Sequence, residues 1–399
     1  MMKNFLFISP NFPTNYWQFC RALQENGLRV LGIGDCPYDQ LAPELRAALT
    51  EYFRVDSLEN EEEVYRAVAF LIYRHGRIDH LESNNEYWLE RDAALRTAFH
   101  ITSGLQSEEM APVKRKSAMK ARYAQAGIPV ARWHLVDDLE GCRAFIEGIG
   151  GYPVIVKPDV GVGATHTYKL TDDAALKHFF SEKSDEPYIL EEFIRGTVHS
   201  YDAIFDSQGR PLFETGNVTL QSIMDTVNTR GNACYYIEKH LPEAMREAGR
   251  RTAAAFQVRS RFVHFEFFVL DIDQPAGRAG EIVGLEVNMR PSGGFSCEMF
   301  NYANSTDVYR IYADMIAFDR TDLAPDAGAH YYCCFCGRRD GLPFALDDAA
   351  IHARYGGALR MSGRLPEALS GAMADTMYMV VFSEPEARDA FFHSLTQLR

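Results

Sequence analysis

Within Gly284–Gly294 (GLEVNMRPSGG), Glu286, Asn288 and Arg290 stand two residues apart. Successive side chains on a β-strand leave opposite faces, so these three leave the same face, and the apolar Val287 and Met289 point the other way, into a core. A carboxylate, a carboxamide and a guanidinium aimed at one spot make a poor interior and a good Mg²⁺–phosphate site. Mg²⁺ takes hard oxygen ligands from one or two protein groups and leaves its remaining positions to phosphate and water. Upstream, Val263–Leu270 (VHFEFFVL) carries a single acid, Glu266, in an otherwise apolar strand. A hairpin between the two strands sets Glu266 beside Glu286. Two acids in hydrophobic strands repel each other unless a cation sits between them. A metal site therefore explains the pair better than a polar edge strand does.

Phosphate binding has its own candidates. Lys157 ends an apolar strand (PVIVKP), where a lysine is costly to bury unless an anion meets it. The turn after it, Asp159–Ala164 (DVGVGA), holds Gly161 and Gly163, whose backbone amides could close over phosphate oxygens. No GK[ST] follows, and position 166 is histidine, so the turn is neither a Walker loop nor a G-x-G-x-x-G; a hairpin flap and an ordinary glycine turn are evenly matched. Lys116 lies one or two turns into a helix, among Lys114, Arg115 and Lys120, which by themselves read as a solvated face. Tyr188–Gly196 (YILEEFIRG) runs from a strand into a short linker able to offer one backbone carbonyl and one N–H to an adenine edge between apolar side chains. Arg230 lies where a carboxylate clamp would be useful, although surface loop arginines are commoner. Glu214 and Ser292 are weaker candidates. His264, two residues from Glu266 on the same strand face, should border the site, whereas Tyr302 and Cys297 read as packing residues.

The elements that must position these groups are legible in part. Lys3–Ile8, Leu28–Ile33 and Ile78–Glu82 read as strands. Thr14–Asn26, Glu61–His75 and Glu86–Phe99 read as helices. This is the β-α-β pattern of an open, mostly parallel sheet. Its first strand–helix loop, Ser9–Pro13 (SPNFP), lacks a glycine fingerprint, which disfavours dinucleotide binding there. Lys114–Gly127 reads as a helix, and Ile128–Ala131 (IPVA) enters a second domain. Strands follow at 151–158, 165–170, 186–193 and 198–205, then a helix over Glu243–Phe256. Beyond about residue 311 come helices, a strand at Ala329–Phe335 and a late strand at Met377–Phe382.

The chain has 399 residues, enough for two or three domains, with 47% hydrophobic and 24% charged residues. A formal net charge of −14 gives no nucleic-acid footprint. No apolar run reaches membrane-spanning length, and the short hydrophobic start (MMKNFLFISPNF) fits a first buried strand better than a secretion signal. Eight cysteines in a chain this long do not make a disulfide framework. Cys333, Cys334 and Cys336 read as small hydrophobes on a buried strand, and a cytoplasmic, reducing setting is expected.

The order of these motifs resembles the ATP-grasp superfamily, in particular the stand-alone carboxylate–amine ligases related to carbamoyl-phosphate synthetase and biotin carboxylase. The likeness rests on the helix from Lys116 with its IPVA exit, the strand lysine Lys157 with its glycine loop, the EEFI hinge, Glu266, and E-x-N-x-R at Glu286, Asn288 and Arg290. It covers roughly residues 1–310; 311–399 look like the C-terminal extension of the same group. The resemblance implies a mixed α/β and α+β chain. Its parts would be a Rossmann-like pre-ATP-grasp domain (1–110), an ATP-grasp domain (111–310, with a lid at about 130–195 and a metal-site part at about 196–310) and a C-terminal lobe (311–399) completing the module.

It further implies that Lys116 and Lys157 contact the α- and β-phosphates, and that Gly161 and Gly163 cover the β- and γ-phosphates. Glu191 and Ile194 would hold adenine through their backbones. Glu266, Glu286 and Asn288 would hold Mg²⁺, two ions, with Mn²⁺ as a substitute, and Arg290 would face the transferred phosphoryl group. Relatives often carry G-x-E after the hinge for ribose; here Gly196 is followed by Thr197 and Val198, which leaves His199 and Glu192 as substitutes. The implied activity is ATP-dependent activation of a small carboxylate, such as an amino acid, and its joining to an amine. The alternatives are another acceptor (thiol, ammonia or a carbamate) or a non-catalytic ATP-binding protein. The implied partners are small molecules, neither nucleic acid nor membrane, and a homodimer is compatible with the sequence.

Overall fold

The computed structural model describes residues 2–161, 166–220 and 231–399. At the N-terminus, β1 (Asn4–Ile8), β2 (Arg29–Gly34), β3 (Glu51–Arg54) and β4 (His80–Glu82) form a parallel sheet in the order β3-β2-β1-β4. All five residues of β1 are buried, the continuous apolar run expected of a strand covered on both faces. The helix Glu61–His75 has the boundaries its sequence predicts. The Asn60 side chain accepts the Glu63 N–H at its start, and Gly76, at φ +83°, ends it. Sequence reasoning misses β3 and the helix Pro43–Ala48, each too short to show a period.

The helix predicted over 114–127 is two helices, Ala111–Lys114 and Lys116–Gln125, broken where Arg115 is extended (φ −92°, ψ 118°). Lys116 is thus the first residue of its helix rather than one or two turns in. The break is stabilised from outside. The Asp159 carbonyl accepts the Lys116 N–H at 2.8 Å, and its carboxylate accepts the Ser117 N–H and hydroxyl at 2.7 and 2.9 Å. Helix N-termini leave N–H groups without partners, and here a loop from the next subdomain takes them.

That subdomain is an antiparallel sheet, β5 (Trp133–Leu135), β6 (Val154–Pro158), β7 (Tyr168–Leu170) and β8 (Tyr188–Glu192), in the order β5-β8-β6-β7. Helices Leu139–Ile149 and Asp173–Glu182 cover the face bearing Val154, Val156 and Leu190. The alternation leaves Ile155, Lys157 and Glu191 on the opposite, open face.

The remaining strands form one nine-stranded sheet. They are β9 (Gly196–Phe205), β10 (Pro211–Thr215), β11 (Asn217–Thr219), β12 (Ala233–Ile237), β13 (Arg261–Leu270), β14 (Ile282–Asn288), β15 (Tyr332–Arg338), β16 (Leu359–Arg364) and β17 (Thr376–Phe382). Their order is β14-β13-β9-β11-β12-β15-β17-β16, with β10 beside β9. The last three strands therefore extend the same sheet through β12. Cys333, Cys334 and Cys336 lie fully buried on β15, as small hydrophobes. Among the described residues no helix is long and apolar enough to cross a membrane.

Beneath β9 and β13 lies the helix Glu243–Ala255, with Gly249 facing the buried Tyr201. A Cβ at Gly249 would lie 2.1 Å from Tyr201 Cγ, so contact overrides helix propensity. Gly249→Ala should destabilise by about 1–3 kcal/mol through overpacking. Gly148→Ala, in a helix with nothing within 4 Å, should stabilise by up to about 1 kcal/mol. Denaturant midpoints of the two variants should move in opposite directions; a Gly249→Ala protein as stable as the parent would contradict this packing.

Candidate active site

The metal hairpin forms with the register its residues require. β13 and β14 pair antiparallel with Glu266 directly opposite Glu286 and His264 opposite Asn288. Phe265, Phe267, Val287 and Met289 turn into the core at 0–1% exposure, while the Glu266 and Glu286 side chains keep 19% and 25%. Like charges directly opposite on a sheet are unfavourable, and cations answer them from several directions. Lys116 Nζ lies 3.3 Å from Glu286 Oε1. His264 bridges Glu266 Oε1 (3.2 Å, Nε2) and the buried Asp202 Oδ1 (2.8 Å, Nδ1). Burial alone would lower the imidazole pKa, but the two carboxylates outweigh it and lift it to about 9, so His264 is a cation at neutral pH. Glu266 shows the converse. Burial acts to raise its pKa, yet His264, Arg290 and Lys157 hold it below the ordinary value. Two carboxylates with the Asn288 carboxamide on one face are the hard-oxygen set that suits Mg²⁺.

Arg290 is fixed by groups from outside the hairpin. Its guanidinium donates to Asn288 Oδ1 at 3.3 Å and to the Pro291 carbonyl at 2.9 Å. Nε lies 3.5 Å from Glu86 Oε2, whose other oxygen meets Lys114 at 2.7 Å. Glu86 sits in the loop after β4, so the N-terminal domain helps aim Arg290. Sequence reasoning assigned Glu86 only to a helix start and Lys114 to a solvated face, but both side chains are nearly buried.

On the lid side, Lys157 meets Glu191 Oε2 at 2.7 Å and Lys120 meets Glu191 Oε1 at 2.5 Å, with all three side chains at 4–9% exposure. Burial works against ionising Glu191, but the two ammonium groups hold its pKa at about 2. Lys120, expected on a solvated face, is thus a member of the site. The signal was available, since Lys116 and Lys120 are four apart and share one helix face. Glu191, expected to act through its backbone, places its carboxylate between two lysines. Gly161 lines the cleft and its carbonyl accepts from Lys116 Nζ at 3.2 Å. Gly163 and Arg230 lie outside the described residues.

These groups line one cleft of about 1470 Å³ between the lid and the central sheet. Ile155, Phe193, Ile194, Val198 and Phe268 give one end an apolar wall suited to a flat ring. Of the two substitutes offered for the ribose contact, His199 does not line the cleft, and Glu192 lines it with its carboxylate engaged elsewhere. His199 pairs with Phe267 and Val218, on the core face of β9 and opposite Val198, so strand alternation turns it away from the cleft. Glu192 shares the helix-covered face of the lid with Val154, and its carboxylate is taken by the Arg132 N–H and guanidinium at 2.6–2.9 Å. Polar groups that border that end include Thr197 and Asp271, joined at 3.2 Å, and Lys169, whose ammonium lies 3.9 Å over the Phe193 ring.

Among the weaker candidates, Ser292 lines the cleft with Gly293 and Gly294. Glu214 is instead held by the Tyr201 hydroxyl and by Arg246 and Arg250, anchoring the helix Glu243–Ala255 beneath the sheet. Cys297 is buried and Tyr302 packs partly against the same core.

A sequence model of the ATP-grasp domain matches residues 105–294, the span that contains every cleft residue discussed above from Lys116 to Gly294. The chain is 24% identical to the L-arginine-specific L-amino acid ligase of Bacillus subtilis over 62% of its own length and 62% of the relative's. The alignment thus leaves more than a third of that relative unmatched. Its fold superposes on the L-amino acid ligase from Bacillus licheniformis with a TM-score of 0.70 at 16% identity, over 98% of this chain and 96% of that one. It is similarly close to the biotin carboxylase domain of Hydrogenobacter thermophilus 2-oxoglutarate carboxylase, solved with MgADP and bicarbonate (TM-score 0.70, 14% identity, 99% and 89% covered). The facing acids, the buried lysines and the hinge, in this order and on this fold, lie within the stretch of the chain, residues 105–294, that matches the ATP-grasp domain.

Proposed function

We propose that this protein is an ATP-dependent ligase that activates a small carboxylate, an amino acid, as an acyl phosphate and joins it to an amine. The observation that carries the reading is the facing pair Glu266–Glu286, with Lys116 at 3.3 Å and Arg290 two residues beyond Asn288. A cleft with anionic and cationic walls this close suits a metal-bound polyphosphate.

In this reading adenine enters the apolar end against Ile194 and Phe268, with its edge on the hinge backbone from Glu191 to Ile194, and Asp271 with Thr197 meets the ribose. Lys116 and Lys157 contact the phosphates, with Lys120 beside them, and Glu191 keeps Lys120 and Lys157 aimed before nucleotide arrives. The flap that includes Gly161 covers the outer phosphates. Glu266, Glu286 and Asn288 hold Mg²⁺, two ions, which supply charge neutralisation on the phosphate oxygens. An oxygen of the substrate carboxylate then forms a bond to the γ-phosphorus and ADP leaves. The amine nitrogen attacks the acyl carbon, phosphate leaves with the C–O bond pair, and the nitrogen gives up a proton. Arg290 stabilises the charge that builds on the transferred phosphoryl group and on the tetrahedral oxygen. A thiol, ammonia or a carbamate as acceptor would share the first step and differ only in the second.

Three outcomes test this. Arg290→Ala should lower kcat about 10²–10³-fold in protein that still folds; near-normal turnover would remove Arg290 from the chemistry. Glu286→Gln should raise the Mg²⁺ concentration for half-maximal ATP turnover by at least about 10-fold, the scale set by losses around metal sites. An unshifted Mg²⁺ curve would refute the ligand assignment. Phosphate release on amino acids, singly and in pairs, should require two added substrates. Release with thiols or ammonia alone would favour the other acceptors, and none with any pair would favour a binding protein.

A further inference from the structure

The cleft continues past Arg290 into a stretch the nucleotide does not need. Its wall consists of Tyr235 on β12, Leu342, and Leu369, Ala372 and Met373 of the helix Glu367–Met373, facing the turn at Gly294. Met373 marks the junction, since its Sδ and Cε lie 2.7 Å from where a Cβ on Gly294 would stand. The apolar wall therefore begins four residues after Arg290. All the carboxylates lining the described cleft (Glu191, Glu192, Glu266, Asp271 and Glu286) lie on the nucleotide and metal side, and the stretch beyond Arg290 is lined by no charged side chain among the described residues. The nearest cation of the helix wall, Arg339, is spent in holding it. Its guanidinium donates to the carbonyls of Ser370, Gly371 (2.6 Å) and Gly231 (3.2 Å). Leu342 remains 40% exposed at the mouth, apolar surface that gains by being covered.

Resting on the ligase reading, we propose that this stretch is the side-chain subsite for the activated acid, and that it selects an α-amino acid with a neutral, apolar side chain such as that of leucine or methionine. With the carboxylate held at Arg290, the side chain has its only described apolar wall in Leu369, Ala372 and Met373. Among the described residues a guanidinium or ammonium there would meet no carboxylate, and a carboxylate no cation, so the described wall offers a charged side chain no partner for its lost hydration. The arginine preference named for the Bacillus subtilis relative is therefore not expected for the acid site of this chain.

Hydroxylamine as the acceptor isolates the acid side, because hydroxamate then reports which acid was activated. Leucine or methionine should exceed arginine and glutamate in kcat/KM by at least about 10-fold, within the discrimination a side-chain pocket supplies. Leu369→Glu should shift the arginine-to-leucine ratio toward arginine by at least about 10-fold, and so should Ala372→Glu, at an exposed position that tolerates the change. Equal use of arginine and leucine by the parent enzyme, or an unmoved ratio in both variants, would overturn the subsite. Melting temperature with MgADP gives a readout independent of turnover. Leucine should raise it more than arginine; the reverse, or no shift with either, overturns the proposal. ATP cleavage with no acid at all would instead strike at the ligase reading, while the melting shift still decides the subsite.

Discussion

Two carboxylates set opposite each other on adjacent strands are the constraint around which this molecule is arranged. Glu266 and Glu286 gain nothing from each other in water and repel more strongly when half-buried. The fold surrounds them with charge from separate parts of the chain: Lys116 at a helix start, His264 backed by Asp202 on β9, and Arg290 at the strand end. Each compensating group costs burial of its own, so the arrangement is a poor route to stability. It makes sense as a site whose remaining positive charge is delivered by a bound metal.

The same economy of charge joins the three parts of the protein. Glu86 reaches from the N-terminal domain to Arg290, Asp159 crosses from the lid to the first turn of the Lys116 helix, and Glu191 on the lid holds Lys120 of that helix together with Lys157. Breaking one partner of such a buried set typically costs about 3–5 kcal/mol because it leaves an uncompensated charge. The cleft walls are thus tied by polar contacts that a polyphosphate could share; the lid keeps its own apolar core, while the N-terminal domain shares one with the central sheet.

Much of this was legible in the sequence because period-two alternation is local. Glu286, Asn288 and Arg290 had to share a face, and Glu266 needed only a hairpin to meet them. The helix Glu61–His75 was legible for the same reason, its cap and its glycine stop being written next to it. What was not legible depended on partners far away in the chain. Lys120 and Lys114 look solvated until Glu191 and Glu86 are brought to them, and the helix break at Arg115 is stabilised by Asp159, more than forty residues on. His199 was offered as a ribose contact because a motif gap was filled by nearness in sequence, whereas the strand alternation that turns it from the cleft was available in principle. The wall at Leu369 and Met373 had no signature, since a seven-residue helix shows no useful period.

The central claim is that the facing acids are kept for a ligand and not for the fold. The direct test is the melting temperature of the Glu266→Gln/Glu286→Gln double variant with and without MgADP. Neutralising the pair takes partners from His264 and Lys116 and should lower the ligand-free melting temperature modestly, whereas it should abolish the rise in melting temperature that MgADP gives the parent. A ligand-free variant that melts several degrees lower while keeping the full MgADP shift would show the acids to be structural and would contradict the account.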